Sequence, residues 1–126
     1  MKIDIAGTRS QPERRDILRL IRDVARAEHC SAPELSIVLV SNLQIRRLNL
    51  RFLGKNRATD VMAFPISDRL LGEICVSRDQ ARIQAQRYKV TLREELLRLV
   101  LHGFLHLLGY THRQMRPEYG RYLDDR

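Results

Sequence analysis

Apolar positions along this chain fall at two periods, and the switches between them mark out elements. Lys2-Ile-Asp-Ile5 alternates polar and apolar and predicts a short strand. Pro12 suits the first turn of a helix running to about Glu28, with Ile17, Leu18, Ile21, Val24 and Ala25 at helical spacing. Glu34 to Val40 is an apolar run of strand length. Ser41 is placed to cap a helix from Asn42 to about Phe52, with Leu43, Leu48 and Phe52 facing inward. The polar stretch Gly54 to Ala58 predicts a loop, and Thr59 to Pro65 a third strand stopped by proline. Ser67-Asp68-Arg69 predicts a turn into a fourth strand, Leu71 to Val76, so these last two strands form an antiparallel hairpin. Ser77 caps a helix to about Tyr88 that carries Ala81, Ile83 and Ala85. Thr91 and Glu94 form a capping box for a long apolar helix through His106, with Leu96, Leu97, Val100 and Leu101 as core candidates. A last helix is expected over Arg116 to Leu123.

This order of elements predicts an α+β fold in a single domain, residues 1–126. It has a mixed four-stranded sheet with one antiparallel strand, packed with about five helices. Helix-linked strands are parallel, by right-handed crossovers. A chain of 126 residues is long enough to bury a core without staples. Its 44% hydrophobic and 30% charged residues describe a soluble globular chain. No apolar run approaches membrane-spanning length, and Met-Lys-Ile-Asp-Ile lacks a signal-peptide core, so a cytoplasmic location is expected, with no membrane partner. Cys30 and Cys75 are isolated and read as small buried apolar residues. The formal charge of +8 changes the picture, because a cytoplasmic protein this basic is expected to meet a polyanion, most often nucleic acid.

Three of the four histidines lie within one stretch, His102-Gly-Phe-Leu-His106-Leu-Leu-Gly109-Tyr-Thr-His112. The first two share one helix face, one turn apart. Gly109 is a natural helix stop, after which the chain can return His112 to the same point. Three imidazoles with a fourth position open to water is the pattern of a catalytic zinc, here one per chain. The spacing equals that of the zincin-type metzincin motif, except that Gly103 stands where those proteases carry their general-base glutamate. No catalytic residue is assigned beyond a metal-bound water. The competing reading of the first pair is two ordinary histidines with satisfied hydrogen bonds. The third histidine beyond the glycine favours the metal.

The same residues resemble the signature of the YbeY family, His-Gly-x-Leu-His-Leu-x-Gly-Tyr-x-His. Two further blocks agree in order and spacing. They are Leu48-Asn49 followed by Gly54-Lys55 and Thr59-Asp60-Val61-Met62-Ala63-Phe64-Pro65, and then Leu71-Gly72-Glu73-Ile74. The resemblance covers roughly residues 36 to 112 and implies a metal-dependent single-strand endoribonuclease. It further implies a role in rRNA maturation, chiefly at the small-subunit 3′ end, and in ribosome quality control, with ribosomal subunits or assembly proteins as partners. The chain differs from the family pattern where an activity-linked arginine is usual, here Leu53, and where aspartate precedes the third histidine, here Thr111.

RNA-contact candidates are Arg46, Arg47, Arg51, Lys55 and Arg57, on or beside the second helix, and Tyr110 for base stacking. The competing reading of the charges is a solvated helix face. Glu94 and Arg98 are read as an i, i+4 pair. Two other functions stay open: an RNA-binding ribosome-assembly factor whose metal is structural, and a metallopeptidase, which Gly103 and the basic charge disfavour.

Overall fold

The computed structural model describes residues 1–32, 34–66 and 70–124. The elements in chain order are β1 (Lys2–Ala6), α1 (Gln11–Ala27), β2 (Glu34–Val40), α2 (Asn42–Leu53), β3 (Val61–Phe64), β4 (Leu70–Ser77), α3 (Arg78–Tyr88), α4 (Leu92–Leu107) and α5 (His112–Leu123). The strands form one sheet in the order β1-β2-β4-β3. β1 pairs with β2 and β2 with β4 in parallel, while β3 runs antiparallel to β4 at the edge. The expected α+β fold, with a mixed four-stranded sheet and five helices, is the one observed among the described residues. No described helix is long and apolar enough to cross a membrane.

Both faces of the sheet are covered, and the strand period of two sorts the side chains between them. Leu35, Ile37 and Leu39 of β2, with Ile74 and Val76 of β4, join the larger core under α1, α4 and α5. Val38, Val40 and Cys75 alternate to the other side, where Ile45 of α2 and Met62 of β3 close a smaller core. α4 lies against both β3 and β4 and touches α1, α3 and α5. Its Leu96, Leu97, Val100 and Leu101 are buried as expected. Glycines permit the close approach. A Cβ on Gly103 would stand 2.6 Å from Ile74 Cγ2, and one on Gly72 would stand 2.7 Å from Leu107 Cδ2.

Several expectations are corrected. Leu43 and Phe52 of α2 are each 55% exposed, and the residues turned inward are Ile45 and Asn49. α2 docks on the sheet through Ile45 and Leu48, which rotates Leu43 outward and leaves Phe52 to pack at a tilt of 54° against Phe64, 5.2 Å between ring centroids. Ile83 is exposed, since α3 buries its Ala81 and Ala85 instead. β3 is shorter than Thr59 to Pro65: the Asp60 carbonyl takes the last bond from β4, the Ser77 N–H at 2.8 Å, and the chain before it belongs to the loop after α2. α5 begins at His112 and not at Arg116. Thr111 accepts from the Gln114 N–H, Gln114 accepts from the Thr111 N–H, and this capping box starts the helix early enough that Pro117 falls inside it. The salt bridge on α4 joins Arg98 to Glu95, at 2.7 Å, because the Glu94 carboxylate is turned back to the Thr91 N–H. The expected turn at Ser67 to Arg69 lies outside the described residues.

Candidate metal centre

Where α4 stops, the chain reverses at Gly109, whose φ of +93° is open to glycine and strained for other residues. The Leu108 N–H bonds the Phe104 carbonyl and the Tyr110 N–H the Leu105 carbonyl, each at 3.0 Å, so the last turn of α4 is closed. Thr111 then caps α5 and makes His112 its first residue. His102, His106 and His112 consequently line one cleft of about 560 Å³ between the end of α4 and the edge strand β3.

The three rings differ in setting. His102 is half-buried, while His106 and His112 are exposed. The His102 and His112 ring centroids are 5.1 Å apart. His102 Nδ1 lies 2.9 Å from the Tyr119 hydroxyl oxygen. Burial holds the His102 imidazole below its usual pKa, the neighbouring His112 adds to this, and Asp60 opposes it. A neutral imidazole is the form that offers a lone pair to a metal.

Among the described residues no three histidine, cysteine, aspartate or glutamate side chains are drawn together closely enough to hold an ion as they stand. The donors nevertheless suit a divalent ion. One imidazole is held at its inner nitrogen, and two exposed rings can rotate toward it across a shared cleft. Gly103, between the first two histidines, also borders the cleft. Packing against Ile74 leaves no room there for the carboxylate that a zincin protease carries.

The opposite wall supplies charge of both signs. Asp60 accepts the Val61 N–H at 2.8 Å on Oδ1 and the Gln84 side-chain amide at 3.1 Å on Oδ2. Lys55 and Arg57 come from the loop after α2. That loop leaves the helix at Gly54, φ +69°, and is tied down by buried Asn49, whose amide donates to the Arg57 carbonyl at 3.0 Å. Among the described residues neither Lys55 nor Arg57 has an ion-pair partner. Leu53 stands on the same rim, 59% exposed.

The structure therefore gathers the three histidines with Lys55 and Arg57, and leaves the other candidates elsewhere. Arg46, Arg47 and Arg51 are exposed on α2 outside the cleft, Arg46 donating to Asn56 at 2.7 Å and Arg51 lying over the Phe52 ring. Tyr110 turns away and donates its hydroxyl to Glu28, which pushes its pKa up to about 12. Sequence reasoning missed one cleft residue and one residue behind it. Asp60 lines the cleft and had a signal, its place in the Thr59-to-Pro65 block. Tyr119 does not line the cleft and meets His102 at Nδ1 only because α5 folds back on α4.

The chain matches the family described as Endoribonuclease YbeY over residues 2–120. It is 47% identical over 85 residues to the endoribonuclease YbeY of Sulfurihydrogenibium sp., covering 63% of this chain and 56% of that one. It is 42% identical over 114 residues to the endoribonuclease YbeY of Myxococcus xanthus, covering 81% of this chain and 39% of that one. Against those two relatives the chain thus spans about half of the full length or less. The solution structure of TM1509 from Thermotoga maritima superposes with a TM-score of 0.73 at 29% identity, covering 98% of this chain and 87% of that one.

Proposed function

This chain belongs to the endoribonuclease YbeY family, and from that premise we propose that it is a metal-dependent endoribonuclease cutting single-stranded RNA. The proposal extends to rRNA in the cytoplasm, at the small-subunit 3′ end and in ribosome quality control, with ribosomal subunits or assembly proteins as partners. The observation that carries the reading is the meeting of His102, His106 and His112 with Lys55 and Arg57 in one cleft.

We assign one zinc per chain to the three imidazoles. When bound, such an ion polarises a phosphoryl oxygen and makes water a better nucleophile. The remaining work falls to the protein and the substrate. Arg57 can grip a phosphate with two parallel N–H donors, and Lys55 adds a point charge beside it. Asp60 has both carboxylate oxygens engaged by Val61 and Gln84, which hold the side chain in place on the wall of the cleft. RNA brings a 2′-hydroxyl that DNA lacks. Binding by Arg–phosphate contacts releases counterions and weakens with salt.

A peptidase reading fails at Gly103, where a side chain would collide with Ile74. The assembly-factor reading is favoured by two observations. Leu53 brings no charge to the rim, and Thr111 spends its hydroxyl on capping α5. Cleavage assays on RNA, single-stranded DNA and casein, with and without chelator, separate the three. Metal-dependent cutting of RNA alone is the expected result. Binding of RNA without metal-dependent cutting would replace the enzyme with the assembly factor. Elemental analysis should find close to one zinc per chain, lost in His102→Ala, His106→Ala and His112→Ala.

A further inference from the structure

Tyr119 is placed to decide which nitrogen His102 offers to the cleft. Its hydroxyl lies 2.9 Å from His102 Nδ1, and it donates its proton to Met115 Sδ at 3.7 Å. A phenol has one proton to give, and a thioether has none. With that proton directed at the sulfur, the contact to His102 is satisfied only if Nδ1 carries a hydrogen and donates it to the tyrosine oxygen. The imidazole lone pair is then left on Nε2.

Helix α5 is built to hold this arrangement. His112, Met115 and Tyr119 stand at i, i+3 and i+7 and share one face. Met115 is fully buried and Tyr119 half-buried, so the sulfur and the hydroxyl are fixed by packing and not by solvent. One helix thus delivers His112 to the cleft and braces His102 from behind.

We propose that Tyr119, backed by Met115, is a positioning residue that locks His102 in the Nδ1–H tautomer and presents Nε2 to a divalent cation. This rests on the metal reading given above. The physical reason is that a ligating histidine is oriented by the hydrogen bond on its other nitrogen, and loss of such a partner typically costs about 10–100-fold in metal affinity. A ring in the wrong tautomer must first exchange its proton between the two nitrogens before it can ligate through Nε2.

The test separates the lock from the metal. Long-range nitrogen–proton NMR on the full-length, metal-free, nitrogen-15-labelled chain reads the tautomer of His102 directly, and competition with a chromophoric chelator reads zinc affinity. The wild type is expected in the Nδ1–H form. In Tyr119→Phe the ring should shift toward Nε2–H and zinc affinity should fall about 10–100-fold. In Met115→Leu the tyrosine is kept but its proton is freed to turn toward Nδ1, so the tautomer should also move toward Nε2–H. A merely structural role would lower the melting temperature of these near-isosteric variants and leave the tautomer alone. A wild type already in the Nε2–H form, or a Tyr119→Phe variant with tautomer and zinc affinity unchanged, would overturn the proposal. A wild type that shows the lock but takes up no zinc would overturn the metal reading instead.

Discussion

At Gly103 the absence of one carbon sets how closely α4 lies on the sheet. A methyl group there would meet Ile74 Cγ2 at 2.6 Å and Val61 Cγ2 at 3.3 Å, and Ile74 is fully buried with no room to give. Gly103→Ala is therefore expected to destabilise. Overpacking costs about 1–3 kcal/mol, against about 1 kcal/mol that alanine gains over glycine inside a helix. The denaturant midpoint measures the balance, and a raised midpoint would show that the interface can yield. Leu53 presents the reverse situation, a wide-open rim position lacking charge. Leu53→Arg should raise RNA cleavage on the order of tenfold, because an arginine beside the site can stabilise charge on the transferring phosphate. A flat or lower rate, with fold and metal content unchanged, would mean that Lys55 and Arg57 already hold the phosphate.

At the scale of elements, one ion pair clasps the starts of α1 and α3. Arg78, the first residue of α3, donates to both oxygens of Glu13 in the first turn of α1, at 2.9 and 2.8 Å, and Thr8 donates to the same carboxylate. The Arg78 hydrogen bond is the main reason that Glu13 titrates below its usual value, and burial opposes it. A carboxylate with a lowered folded pKa stabilises the fold above its unfolded pKa, and that contribution is lost as pH falls through the folded value. Glu13→Gln is accordingly expected to cost about 1 kcal/mol at neutral pH, with the gap closing below the ordinary glutamate range. Urea unfolding at pH 7 and at acid pH checks both halves; a gap that persists at low pH would assign the loss to packing. The late expected start of α5 belongs to this scale too. The capping box at Thr111 and Gln114 starts the helix four residues before Arg116, where the weak apolar pattern alone placed it.

Across the whole molecule, the basic RNA-contact candidates are divided between the cleft and the exposed side of α2. Lys55 and Arg57 line the cleft, while Arg46, Arg47 and Arg51 stand outside it. Reversing Arg46 and Arg47 should weaken RNA binding and leave zinc content intact. The salt slope should fall by about 0.7 for each phosphate of a single strand that is no longer neutralised. Reversing Lys55 or Arg57 should also slow cutting at saturating RNA. Binding and cleavage measured across a salt series distinguish the two groups; an equal effect on cutting from both would mean that the RNA path crosses α2 at the reacting position.

The identity and order of the elements, the capped start of α4 and the three-histidine spacing were legible in the chain alone, because period, caps and a helix-stopping glycine act over a few residues. The inward face of α2 was not, since Ile45 and Leu48 take the sheet and turn Leu43 outward only once β3 and β4 are assembled. Nor was the insertion of β4 between β2 and β3, which makes β3 the edge strand that borders the cleft. The pairing of Tyr119 with His102, the turning of Tyr110 onto Glu28 and the separation of Lys55 and Arg57 from the α2 arginines were likewise decided by tertiary structure. Each depends on which surfaces of distant segments bury one another, and no local pattern carries that information.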